Sequence, residues 1–337
     1  MAIEAVSAAI FGCAGHELSR DEQRFFAEVR PYGFILFARN IDTPEQVRAL
    51  TAALRDASGR PDAPILIDQE GGRVQRLRPP HWRQARSARD FGDLYRRNAE
   101  AGLEALRLNY RLIAAELTDL GIDVDCVPCL DVPVPGAHDV IGDRAFAVDA
   151  ETVSACGRAA CEGLMQGGVY PVIKHLPGHG RATADSHHDL PRVATPRAEL
   201  ADSDFIPFQQ LCDMPFGMTA HIVFDAIDPD RPVTQSEDGI AFIRDELKFD
   251  GLLMTDDLSM KALGGAFHDR AALSLAAGCD LVLHCNGDMT EMRAVAEGTG
   301  PLSAEAWRRI DALPPIEANT GSMDSETVLA QLEDLFR

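Results

Sequence analysis

The sequence predicts an α/β protein: a single (β/α)8 TIM-type barrel over residues 1–337, with an extra helical segment at its C-terminus. Three observations lead there. Short, almost continuously apolar strand candidates alternate with amphipathic helix candidates about eight times, the pattern of a parallel sheet covered by helices. No shift of composition marks a linker between two domains. Ionisable residues cluster just after successive strands, which is where a barrel of this kind keeps its chemistry. An open doubly wound sheet is the alternative, but no G-x-G-x-x-G follows the first strand, and Gly178-x-Gly180 stands alone.

The first strand candidate is Ala5 to Phe11. Ser19 with Glu22 forms a capping box for a helix carrying Phe25, Phe26 and Val29. Gly33 to Phe37 is the second strand, and Thr43-Pro44 with Gln46 starts a helix whose apolar face is Val47, Leu50 and Leu54. The third strand, Ile65 to Ile67, runs into Asp68, Gln69 and Glu70, and a long polar segment follows. Leu103, Leu106, Tyr110, Ile113, Leu117 and Leu120 then define a long helix that Gly121 stops. The fourth strand, Val124 to Val132, precedes a loop with Arg144, and a helix of small residues spans about Ala150 to Gln166. The fifth strand delivers Lys174 and His175, after which Pro177, Gly178 and Gly180 end regular structure. A helix opens at Thr195-Pro196, and Phe216 to Phe224 is the sixth strand. Ile240, Ile243 and Leu247 line a helix, and Gly251 to Thr255 forms the seventh strand. A helix ending at Gly278 leads to the eighth strand, Asp280 to His284.

The formal charge of −21, from 53 acidic and 32 basic residues, argues against a nucleic-acid or anionic-membrane surface. No stretch is long and apolar enough to span a bilayer. Ala5 to Cys13 has the apolarity of a signal peptide, but Glu4 precedes it and no Lys or Arg does, so a first strand and a cytoplasmic protein are expected. Eight scattered cysteines suit a reducing compartment. Cys126 and Cys129 have the C-x-x-C spacing, but on a strand such residues face opposite ways, so they read as packed thiols.

The candidate site residues are Asp68 and Glu70 after the third strand, Asp131 after the fourth, and Lys174 and His175 after the fifth. His221 follows the sixth strand and Asp256 the seventh, while Arg76, Arg144, Asp185 and His187 lie on loops at the same face. Asp185 and His187 are two apart, so in an extended loop the carboxylate lies beside the imidazole, orients it and raises its pKa. Two chemistries fit. Metal-assisted hydrolysis is suggested by His175-x-x-x-His179, although Pro177 and Gly178 break the helix that would align the rings. Glycoside hydrolysis needs a carboxylate nucleophile and a separate proton donor; Asp256 suits the first, and either His187 with Asp185 or Glu70 suits the second.

IDQEGGRVQRL, GDRAF, KHLPGHG, DSHHDLP and MTDDLSM occur in this order at these strand ends. Together they closely resemble the family 3 glycoside hydrolases, in particular the bacterial cytoplasmic β-N-acetylglucosaminidases of cell-wall recycling. The resemblance implies Asp256 as nucleophile, His187 as acid/base with Asp185 as its partner, and Asp68, Arg76, Arg144, Lys174 and His175 as holders of N-acetylglucosamine. It further implies a retaining, exo-acting enzyme on peptidoglycan-derived muropeptides, with no cofactor, no metal and no obligate protein partner. The Gly178 and Gly180 region is expected to hinge the His187 loop. A phosphorylase on the same scaffold is the nearest alternative, followed by a non-catalytic sugar-binding protein and a metal-dependent barrel hydrolase.

Overall fold

In the computed structural model, residues 5–182, 189–316 and 324–337 are described. Eight parallel strands close into a barrel in chain order: β1 (Ser7–Phe11), β2 (Pro31–Leu36), β3 (Ile65–Ile67), β4 (Val124–Asp125), β5 (Tyr170–Leu176), β6 (Phe216–Thr219), β7 (Leu252–Asp257) and β8 (Leu281–His284), with β8 pairing back to β1. Both faces of these strands are buried, and the two-residue period sorts them. Ile10, Ile35, Leu66, Val172, Phe216, Leu252 and Leu281 pack inside the barrel. Ala9, Phe34, Ile65, Ile173, Leu253 and Val282 pack outward under the helices.

Helix starts follow the capping residues. Ser19 and Glu22 form a capping box on α1 (Arg20–Val29), and Thr43 accepts the Gln46 N–H at the start of α2 (Pro44–Ser58). The polar segment after β3 also contains a helix not expected from its composition, α3 (Ala88–Arg97), capped by Ser87 and Asp90. Its buried residues are Ala88, Phe91, Gly92 and Leu94, a narrow apolar stripe. It leads into the long α4 (Ala99–Asp119). The helix expected at Ala150 to Gln166 is α5 (Ala150–Gln166).

The fourth strand is shorter than expected. Only Val124–Asp125 pairs regularly, and an isolated bridge from Cys129 to Lys174 carries the extended chain onward. Proline at 128 has no N–H to give the ladder. The sixth strand likewise ends at Thr219, and Val223–Phe224 pairs separately with Arg192–Val193. The C-terminal helix, Ser325–Leu335, lies against the barrel's outer helices: Leu332 is buried, Phe336 meets Phe91 edge-on at 5.3 Å, and Arg86 pairs with Glu333 at 2.5 Å. No helix among the described residues is long and apolar enough to cross a membrane.

Candidate active site

The alternation that fills the barrel also builds the site. Continuing the inward set past the last packed layer brings Asp68 after Leu66, Lys174 after Val172 and Asp256 after Met254 to the open C-terminal end. These three line one cavity of about 310 Å³, whose other lining residues include Ile35, Phe37, Arg76, Arg144, His175, Met218, Met260 and Asp257. Its size is at the small end for organic ligands. In a cavity of about 440 Å³ at the opposite end, the charged lining residues Glu28, Arg293 and Glu297 are exposed.

The ionisable groups are cross-linked. Lys174 Nζ donates to Asp68 Oδ1 at 2.8 Å and to Glu70 Oε1 at 2.7 Å. Arg76 donates to the other Asp68 oxygen at 2.9 Å, and its guanidinium lies 5.0 Å from the centre of the Phe37 ring. Arg144 grips Glu70 with two N–H groups at 2.9 and 2.8 Å. Burial alone would raise the Glu70 carboxyl, but Arg144 and Lys174 outweigh it and hold it down at about 2. Asp68 is held below the usual carboxylate range in the same way, by Lys174 and Arg76. Glu70 is therefore a permanent anion and not the alternative proton donor that the sequence left open. Each Asp68 oxygen retains a lone pair for a hydroxyl, and Lys174 retains one N–H.

His175 is oriented by Asp131, whose Oδ2 accepts its Nδ1–H at 2.7 Å, while Asp131 Oδ1 accepts the backbone N–H of His179 at 2.6 Å. The rings of His175 and His179 meet at 5.6 Å, so the chain brings them together by a turn where a helix could not. Burial, with His175 adding to it, pulls the His179 imidazole down to about 4. Asp185 and His187 lie outside the described residues. Their flank is firmly packed: a Cβ on Gly180 would sit 2.0 Å from the Val132 carbonyl oxygen, and Arg181 pairs with Asp204 and Glu199, both at 2.7 Å. The glycine at 180 serves this close approach, while the loop that the Gly178 and Gly180 region was expected to hinge lies outside the described residues.

Asp256 and Asp257, adjacent at the end of β7, play different parts. The Asp257 carboxylate accepts the Ser259 N–H at 3.0 Å, the Ser259 hydroxyl at 2.5 Å and the Cys285 N–H at 3.1 Å. It ties β7 to β8. Asp256 faces the cavity and accepts the Asp257 N–H at 2.8 Å. His221 does not reach the cavity. Its Nε2–H donates to the Asp257 carbonyl at 3.1 Å, and Nδ1 meets the Thr234 hydroxyl at 2.8 Å. Burial lowers its pKa, so it stays neutral and fixes the backbone beside Asp256. His221→Ala is expected to lower kcat by roughly 10-fold to 100-fold with KM little changed. Steady-state kinetics check this; a change confined to KM would assign His221 to ligand binding.

One buried carboxyl escaped the sequence reading. Asp125 accepts the Gln69 N–H at 2.9 Å, and burial raises its pKa to about 8. The folded chain thus keeps a proton that the unfolded chain has lost, and stability falls as pH rises towards 8. The lowered histidines act the opposite way only below about pH 6.5. Between about pH 6.5 and 8, denaturant titrations of Asp125→Asn are expected to lose a slope approaching 1.4 kcal/mol per pH unit. An unchanged slope would mean that Asp125 is already ionised in the folded state.

Residues 5–310 match the family model described as "Glycosyl hydrolase family 3 N terminal domain". The chain is 39% identical over 282 residues to a β-hexosaminidase of Methylococcus capsulatus, covering 82% of each chain. It is 40% identical over 282 residues to one from Alkalilimnicola ehrlichii, covering 82% of this chain and 80% of that one. Among solved structures it is similar to NagZ from Neisseria gonorrhoeae in complex with N-trifluoroacetyl-D-glucosamine. The identity is 30%, with 99% of both chains covered and a TM-score of 0.88. A closed barrel with a carboxylate-lined cavity at its C-terminal end agrees with these relations, and the chain belongs to glycoside hydrolase family 3, as a glycosidase of the β-hexosaminidase type.

Proposed function

We propose that the enzyme is an exo-acting, retaining β-N-acetylglucosaminidase that releases N-acetylglucosamine from peptidoglycan-derived muropeptides in the cytoplasm. One observation carries this: Asp256, at the end of β7, lines the same small cavity as the Asp68, Lys174 and Arg76 group. The N-trifluoroacetyl-D-glucosamine held by the gonococcal relative supports an N-acyl amino sugar as the ligand. Asp68 accepts two sugar hydroxyls, while Lys174, Arg76, Arg144 and His175 offer their remaining polar hydrogens or lone pairs to the other oxygens. Ile35, Met218 and Met260 supply apolar surface.

In the first step Asp256 attacks the anomeric carbon as protonated His187, backed by Asp185, gives its proton to the departing glycosidic oxygen. In the second, neutral His187 takes a proton from water, which displaces Asp256 and restores the β configuration. The cross-linked cations and carboxylates are set before the substrate arrives, so little reorganisation accompanies the charge that develops on the ring. Seven of the eight cysteines are buried and all eight are unpaired, which supports a reducing compartment. We further propose that the barrel and its C-terminal helix act as one catalytic unit, without cofactor or obligate protein partner.

Incubation with a muropeptide mixture, with and without inorganic phosphate, tests the reading. Free N-acetylglucosamine of retained configuration is expected in both. A sugar 1-phosphate formed only with phosphate would replace hydrolysis by phosphorolysis, and no release at all would overturn the substrate assignment.

A further inference from the structure

One cluster of metal-ligating side chains among the described residues has no part as a whole in the proposed chemistry: Cys129, Asp131 and His175. Cys129 and Asp131 stand two apart on the extended segment after β4, so both side chains leave the same side. His175 comes from β5, which that segment bridges at Lys174. Asp131 Oδ2 accepts the Cys129 thiol proton at 3.0 Å and the His175 Nδ1–H at 2.7 Å. The three ligand atoms lie within 4.8 Å of one another, and all three residues are buried. Cys126, the other half of the C-x-x-C pair, packs inside the barrel with Leu66 and Val124 and takes no part.

Sulfur, imidazole nitrogen and carboxylate oxygen at one point form the donor set of zinc, cadmium or cobalt(II); magnesium and calcium prefer oxygen alone. Metal–ligand bonds of about 2.0–2.3 Å in a tetrahedron separate the ligand atoms by roughly 3.3–3.7 Å. The present hydrogen-bond spacings therefore need to open by less than about 1 Å. Thiolate and carboxylate together balance a divalent charge, so the exchange leaves the buried cluster neutral.

We propose that Cys129, Asp131 and His175 form a site for a thiophilic divalent cation behind the sugar cavity, and that filling it inhibits the enzyme. Binding forms bonds from the metal to Sγ, Oδ2 and Nδ1. The thiol proton goes to solvent, the Nδ1 proton moves to Nε2, and water completes the shell. No oxidation state changes. His175 also lines the cavity, so taking its Nδ1 from Asp131 reorients the ring against the sugar. The ion is an inhibitor, and no step of the mechanism calls on it.

The test uses the full-length enzyme, stripped with chelator and titrated with cadmium(II) while the ultraviolet absorption of the cadmium–thiolate bond is followed. Wild type is expected to bind one equivalent with this band. Cys129→Ser, which keeps the size and the hydrogen bond to Asp131, and Cys129→Val are each expected to lose the band and bind about tenfold more weakly or worse. Zinc is expected to inhibit wild type, reversibly on adding chelator, at about tenfold lower concentration than either variant relative to its own metal-free activity. No band in wild type, or a band or zinc inhibition unchanged in both variants, overturns the site. The inhibition arm rests on the proposed function. The absorption arm does not, so failure of the glycosidase reading leaves the metal result standing.

Discussion

Asp256→Ala is expected to reduce turnover of every β-N-acetylglucosaminide by roughly 10⁴-fold or more, because the other carboxylates described at the cavity, Asp68 and Asp257, are tied to cations or to the neighbouring strand. The geometry argues for this position against its neighbour. Asp257 has both oxygens committed to Ser259 and Cys285, so rotating it towards a sugar would break the tie between β7 and β8. Asp68 and Glu70 are fixed by three cations and are acceptors, not nucleophiles with a clear approach to carbon. Asp256 accepts the Asp257 backbone N–H at one oxygen and lines the cavity. A 2-fluoro N-acyl amino sugar with a good leaving group should trap the covalent intermediate. Peptide mapping is expected to find the added mass on the fragment with Asp256. Mass on Asp68 or Asp257 would sink the assignment.

His187→Ala is expected to split substrates by leaving group. On natural glycosides, whose departing oxygen needs a proton, the loss is about 10²-fold to 10⁴-fold. On aryl glycosides with acidic phenols, the first step should fall by less than about tenfold, since the phenolate leaves without help. Burst kinetics separate the two steps, because the second still requires a base for water. Equal losses on both substrate classes would remove His187 from the acid role. Glu70→Gln offers no rescue of the acid reading: the native carboxyl sits at about 2 and holds no proton to give at working pH. That variant should act through stability instead, leaving Arg144 and Lys174 short of a counter-charge.

Much of the architecture was legible because local and global signals agree. Ser19 with Glu22, and Thr43 with Pro44, mark helix starts by hydrogen bonds that short sequence spacing guarantees. Ile65–Ile67 and Ala150–Gln166 fall where their apolar and small-residue patterns put them. Asp68, Arg76, Arg144, Lys174, His175 and Asp256 do share one cavity. What was hidden depends on partners distant in sequence. α3 buries few residues, and its cap, Ser87 with Asp90, is the signal that could have revealed it. Glu70 looked like an acid until Arg144, 74 residues away, was seen on it. The close approach of the Val132 backbone to Gly180, 48 residues away, had no local signal either. Asp125 sat in a run of apolar residues with nothing local to show that it would be sealed from water.

The alternating row Arg144, Glu70, Lys174, Asp68 and Arg76 has a consequence for how this enzyme can change. Each member neutralises a neighbour, so deleting any one strands another and alters binding, ionisation and folding at the same time. Energies from single substitutions along the row will not sum, and double replacements that remove a cation with its anion should be milder than either alone. Inheritance should then favour paired exchanges: the row passes between descendants as one block, while the rim around it is free to drift.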